Sequence, residues 1–147
     1  MNPYNTIAAL VATVALSGVF VAPATQARAA VPASAAGLIN HTCGPNYKVY
    51  PGNFGSALEK KIGSTTVLLN YQGLAPNYFG EIWNGRPGDT VWMDWSDTPG
   101  SWHQCGPFKV PKGKKVAYTK GVNLVDGRYF RACGHHARKT ACTHWFG

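Results

Sequence analysis

Each of the four cysteines has a histidine two residues away: His41-x-Cys43, His103-x-Cys105, Cys133-x-His135 and Cys142-x-His144. What these side chains do decides what the chain can fold into, since two covalent ties and a metal cage impose different architectures. Positions i and i+2 of a strand share a face, and zinc accepts thiolate and imidazole, so a cage is geometrically allowed. The spacing argues against it. Structural zinc sites pair ligands as C-x₂₋₄-C or H-x₃₋₅-H, and no cysteine pair here has that form. Four cysteines in an exported domain are expected to oxidise to two disulfides, which leaves no free thiol for a catalytic cysteine. No metal and no cofactor is therefore expected.

Four cysteines allow three pairings. The stretch CGHHARKTACTH, residues 133 to 144, reads most simply as a hairpin bolted by Cys133 and Cys142. That registry would set Arg131 opposite His144 on one face and Phe130 opposite Trp145 on the other, with His135 and His136 in a solvated loop. Cys43 would then join Cys105. Chain entropy gives roughly 2.7 kcal/mol for the short loop and roughly 4.3 kcal/mol for the long one.

Export itself is expected from the N-terminus. Ile7 to Val21 is apolar but short for a membrane span, and Ala27-Arg28-Ala29 has the small residues of a cleavage site, although Met1 to Asn5 lacks the usual positive charge. Residues 1–29 read as a secretory signal peptide, 30–37 as an Ala/Pro/Ser linker and 38–147 as one extracellular domain, with no membrane association after cleavage. A domain of that size buries a modest core, and disulfides commonly supplement it.

Within the domain, strand signals recur between Gly, Pro, Asn and Asp punctuation: Tyr47–Tyr50, Thr65–Tyr71, Phe79–Trp83, Thr90–Trp95, Trp102–Val110, Val116–Lys120, Tyr129–Cys133 and Cys142–Phe146. Ser56 to Ile62 could form one short helix. Arg86-Pro87-Gly88-Asp89, Thr98-Pro99-Gly100, Pro111-Lys112-Gly113 and Asp126-Gly127 supply turns. The fold class expected is all-β, a single antiparallel sandwich or barrel-like domain stapled by two disulfides.

Charge is uneven along this domain. Without Arg28, thirteen Lys and Arg stand against six acids, and from Cys105 onward nine basic residues stand against Asp126 alone. Such a half suggests attraction to polyanions, but the preferred reading is a solvated Lys-rich surface that guards sheet edges. The combined replacement of Lys112, Lys114 and Lys115 should leave folding intact.

The richest stretch for a site is TVWMDWSDTPGSWHQCGPF, residues 90 to 108. Val91, Met93 and Trp95 alternate with Trp92 and Asp94, and on the next strand Trp102 and Gln104 alternate with His103 and Cys105. If even positions pair with even, Trp92, Asp94, Trp102 and Gln104 share one outward face. An aromatic platform edged by a carboxylate and an amide suits a sugar ring or a protein partner. If these tryptophans are covered by a neighbouring loop, they merely pack.

Catalytic signatures are thin. Glu81, Asp94 or Asp97 could supply the two carboxyls of a glycosidase, but nothing in the spacing fixes them across a cleft. There is no G-x-S-x-G, no phosphate loop and no H-x-x-x-H, and Asp94 to Asp97 lacks the other ligands of a calcium loop.

VWMDWSDTPGSWHQCGPFKV and the later GRYFRACGHHARKTACTHWFG resemble small secreted, disulfide-bonded proteins of actinomycetes that carry V-W-x-D, C-G-P-F, F-R-A-C and C-T-x-W segments. The resemblance covers residues 90–147 and implies secretion and a disulfide-bonded β domain, without an established activity. Asn53-Phe54-Gly55 and Asn70-Tyr71-Gln72-Gly73 echo βγ-crystallin strands without the full motif.

The function expected is that of a secreted, non-catalytic binding domain for an extracellular glycan or cell-wall polymer, through the tryptophan face. The alternative is a basic effector, such as an antimicrobial, an inhibitor or a small hydrolase, acting on a polyanionic or protein target. Nucleic acid is not the partner expected.

Overall fold

The computed structural model describes residues 37–147 except 48, 50–53 and 74. The expected signal peptide and nearly all of the expected linker lie outside the described residues. Eleven strands follow in chain order among the described residues: β1 (Gly37–His41), β2 (Asn46–Tyr47), β3 (Gly55–Ile62), β4 (Thr65–Gln72), β5 (Asn77–Trp83), β6 (Thr90–Ser96), β7 (Ser101–Lys109), β8 (Ala117–Tyr118), β9 (Gly121–Asn123), β10 (Tyr129–His136) and β11 (Lys139–Cys142). One sheet has the order β1-β7-β6-β10-β11; the second has the order β2-β9-β5-β4-β3, with β8 also paired to β5. The fold is all-β and sandwich-like, and the pairings are antiparallel except that of β1 with β7.

Alternation along the strands builds the core. Val67 and Leu69 of β4, Met93 and Trp95 of β6, Tyr78 of β5, and Phe130 and Ala132 of β10 turn inward and pack with Ile62, Cys105 and Val122. A smaller apolar group, Ile82, Val91, Val110 and Ala117, lies nearer one end of the sandwich. The sheets meet closely where β10 crosses β4, since a Cβ added to Gly134 would stand 2.5 Å from Val67 Cγ2. Trp95 anchors the chain before β2, its indole N–H donating to the Thr42 carbonyl at 3.0 Å while its ring stacks on His103 at 4.2 Å.

Both disulfides form as the hairpin reading requires: Cys43–Cys105 and Cys133–Cys142. The first lies on the core side of β7; the second spans β10 and β11, where Cys133 and Cys142 are direct partners.

Several local expectations are corrected. Ser56 to Ile62 is not helical but most of β3, which pairs with β4 along its length. Its Ala, Leu, Glu and Lys are good helix formers, and sheet pairing overrides that weak preference. Glu59, Lys60 and Lys61 make it a charged edge strand that resists further pairing. His135 and His136 are not in a loop: both belong to β10, and the reversal is made by Ala137 and Arg138 with φ of 47° and 65°. Those angles are the signature of a two-residue hairpin turn matched to strand twist. His136 is buried, with Nδ1 2.7 Å from Asp89 Oδ2.

The C-terminal registry also slips. Thr143 N–H donates to the Ala132 carbonyl in step with the disulfide, but Phe130 then pairs with Phe146 rather than Trp145. The extra residue sends Trp145 to the outer face, where its ring lies 4.6 Å from the Arg131 guanidinium.

Candidate functional site

Each sheet has an outer face, and the two are built differently. On the β6/β7/β10 sheet, Asp94 pairs with Gln104 on one side and with Arg131 on the other. Even positions do pair with even, so Trp92, Asp94, Trp102 and Gln104 all belong to this outer face. Trp92, Trp102 and Gln104 are half-buried; Asp94 is only 1% exposed. Arg131 Nε donates to Asp94 Oδ2 at 2.8 Å, and Nη2 approaches the same oxygen at 2.8 Å. The guanidinium lies between the rings of Trp102, at 5.4 Å, and Trp145, at 4.6 Å. Burial holds the Asp94 carboxyl above the ordinary aspartate value, with Arg131 pulling the other way. The carboxylate and both flanking indoles are thus engaged with Arg131, and Asp94 presents almost no surface to a ligand.

The outer face of the β3/β4/β5 sheet is open. Strand registers lay two rows of side chains across it: Glu59, Leu68, Glu81 and Tyr118 in one, and Lys61, Thr66 and Trp83 in the next. All of these but Tyr118, together with Phe54, line a cavity of about 540 Å³ open to solvent. Phe54 meets Phe79 edge to face at 5.1 Å. Trp83 is 51% exposed, the most exposed of the large hydrophobics that stand free on this molecule's described surface.

Beneath the rim lies Glu81, 4% exposed. Asn70 Nδ2 donates to its Oε2 at 2.7 Å, and Tyr118 hydrogen-bonds to the same side chain. Burial raises the Glu81 carboxyl above the ordinary glutamate range, against the two hydrogen bonds that favour its charged form. Burial and the neighbouring Glu81 likewise raise the Tyr118 hydroxyl. Glu59 and Lys61, both exposed, add a carboxylate and an ammonium at the edge strand.

This arrangement offers an apolar ring face beside a small set of fixed donors and acceptors, the usual composition of a small-molecule or sugar subsite. Sequence reasoning reached Glu81 only as one of several carboxylates and passed over Trp83, Glu59, Lys61, Thr66, Leu68 and Phe54. The signal was present in Phe79-Gly80-Glu81-Ile82-Trp83, where alternation puts Phe79, Glu81 and Trp83 on one face. No group of His, Cys, Asp and Glu suited to hold a metal ion occurs among the described residues, and no helix among them is long and apolar enough to cross a membrane. No family model, curated protein or solved structure matches the chain.

Proposed function

We propose that this chain is an extracellular, non-catalytic domain that binds a polysaccharide, and that the ligand lies in the cavity at Trp83. The observation that carries the reading is a half-exposed indole, Trp83, that lines an open cavity of about 540 Å³ together with Glu59, Lys61, Thr66 and the buried, hydrogen-bonded carboxylate of Glu81. A sugar presents an apolar C–H face and a rim of hydroxyls, and these two needs are met by Trp83 and by Glu59, Lys61 and Thr66, with Glu81 buried at the floor of the cavity. Two disulfides and no free cysteine support the placement outside the cell.

The test is retention of the domain on insoluble polysaccharides and whole cell walls, compared with Trp83→Ala. Loss of retention in this variant, with unchanged melting, is the expected result. Retention equal to the parent would remove the cavity from the reading.

A second reading has one observation in its favour. Glu59 and Glu81 stand in one row of the same outer face on either side of Leu68, with backbones about 10 Å apart at two strand spacings, and burial keeps Glu81 protonated to higher pH. An acid paired with a base across a sugar is the arrangement of inverting glycoside hydrolysis. Release of reducing ends that disappears in Glu81→Gln would favour this reading over simple binding.

A further inference from the structure

Chain topology gathers positive charge at one end of the sandwich. The β3–β4, β5–β6, β7–β8 and β10–β11 connections all lie there, as the bonds from Thr65 Oγ1 to the Asn84 carbonyl, from Gly85 N–H to the Lys115 carbonyl and between His136 and Asp89 require. Arg86, Lys112, Lys114, Lys115, Arg138 and Lys139 are exposed on these connections or beside them, and none forms an ion pair among the described residues. Asp89 is the one carboxylate in these connections, and its Oδ2 already takes the Arg86 N–H at 2.6 Å and faces His136 Nδ1 at 2.7 Å. The opposite end holds Asp97 and Asp126, and its buried Arg128 is paired with Asp97 at 2.5 Å.

This cationic end adjoins the cavity. Lys61, Thr66 and Trp83 form the row next to the turns, and Gly85, two residues beyond Trp83, is the residue bonded to Lys115 at 2.8 Å. An indole platform therefore leads onto a ridge of free ammonium and guanidinium groups. A neutral ligand would use only the platform. Glu59 and Glu81 on the cavity side favour hydroxyls there, so the anionic groups belong on the loops.

We propose, building on the polysaccharide reading above, that the ligand is an acidic polysaccharide, stacked by one sugar on Trp83 and continuing across the cationic end with its carboxylate or sulfate groups against Arg86, Lys112, Lys114 and Lys115. Polymer length and charge both contribute, because separate weak contacts on one chain reinforce each other.

The test uses polymers that share a backbone and differ in charge: dextran sulfate against dextran, and polygalacturonate against its methyl ester, with inorganic polyphosphate as a polyanion lacking sugars. Affinity is measured at low and high salt for the parent, for Trp83→Ala and for the combined Lys112→Ser, Lys114→Ser, Lys115→Ser variant. The expected result is that each acidic polymer binds roughly tenfold or more tightly than its neutral counterpart at low salt, and that salt erases the difference. The triple variant should bind acidic and neutral polymers alike, whereas Trp83→Ala should weaken both. Equal binding of charged and neutral polymers by the parent would overturn this inference and leave the polysaccharide reading intact. Failure to bind any of the four sugars would overturn both. Polyphosphate bound as tightly as the acidic sugars, with no effect of Trp83→Ala, would show a general polyanion surface and also overturn the joint site.

Discussion

The two outer faces of this sandwich carry the same kinds of side chain and use them oppositely. On one, a carboxylate, an arginine and two tryptophans close on each other: Asp94 is bonded to Arg131, and the Arg131 guanidinium lies over the rings of Trp102 and Trp145. On the other, Glu81 is nearly as buried as Asp94 and is held by Asn70 and Tyr118, while Trp83, two residues on along the same strand, is half-exposed. Tryptophan and acid in alternation therefore do not by themselves mark a ligand surface. The deciding residue is the arginine on the neighbouring strand. Arg131 engages Asp94 on the first face, and the second face has Leu68 and Thr66 on β4 beside Glu81 and Trp83.

The contrast can be broken most severely at Arg131. Arg131→Met leaves Asp94 buried without its counter-ion and should cost about 3–5 kcal/mol at neutral pH. The sign of its pH dependence follows from the carboxyl. Asp94 already has a raised value in the folded protein through burial, and losing Arg131 raises it further. The folded state is then relatively favoured below the unfolded value and loses stability as pH rises through the folded one. Denaturant melts of the variant should accordingly lie closest to the parent near pH 4 and fall away toward pH 8.

A smaller effect is expected when the stacked indole is removed. Trp102→Ala should cost about 1–2 kcal/mol, less than the truncation of a fully buried tryptophan, because the ring is half-buried over a guanidinium. Trp83→Ala, at 51% exposure, should cost under about 1 kcal/mol.

Glu81→Gln should act in the opposite direction. The neutral amide can still accept from Asn70 and Tyr118, and it removes a carboxylate that burial disfavours when charged. The parent's Glu81 contributes fully below the ordinary value of 4.5 and loses its contribution as pH rises through the raised folded value. The variant should melt higher than the parent at pH 8, and the two melts should converge below pH 4.5. A parent that melts higher at pH 8 would show that the carboxylate is stabilised by its hydrogen bonds more than burial disfavours it.

The smallest change is expected at the cationic end. Replacing Lys112, Lys114 and Lys115 together by Ser should shift stability by no more than about 0.5 kcal/mol, since all three are exposed and form no ion pair among the described residues. A larger loss would mean that the β7–β8 connection has a structural role beyond its backbone bonds to Gly85 and Gly88.

Strand content and both disulfides were legible because their signals are local or nearly so. Alternation marked the inward face of β6, and the eight residues between Cys133 and Cys142 left a hairpin as the simplest closure. What escaped is set by pairing between distant segments. β3 carries helix-forming residues and becomes a strand because β4 lies beside it. One irregular residue after Thr143 moved Trp145 to the outside, and period-two reasoning has no memory across such a slip. The outward parity of Trp92, Asp94, Trp102 and Gln104 could be read from two adjacent strands, but the closure of Asp94 depended on Arg131, thirty-seven positions further on. The open cavity likewise requires β3, β4 and β5 in register, so only the Phe79, Glu81, Trp83 alternation was visible beforehand.

The difference between the faces is tested most directly by measuring Trp83→Ala and Trp102→Ala side by side, each by thermal melting and by affinity for dextran sulfate. The account predicts that Trp83→Ala melts with the parent and loses most of its affinity, while Trp102→Ala melts measurably lower and, below its transition, binds as the parent does. The reverse pattern, with affinity lost in Trp102→Ala and stability lost in Trp83→Ala, would contradict the assignment of the open face to β3, β4 and β5.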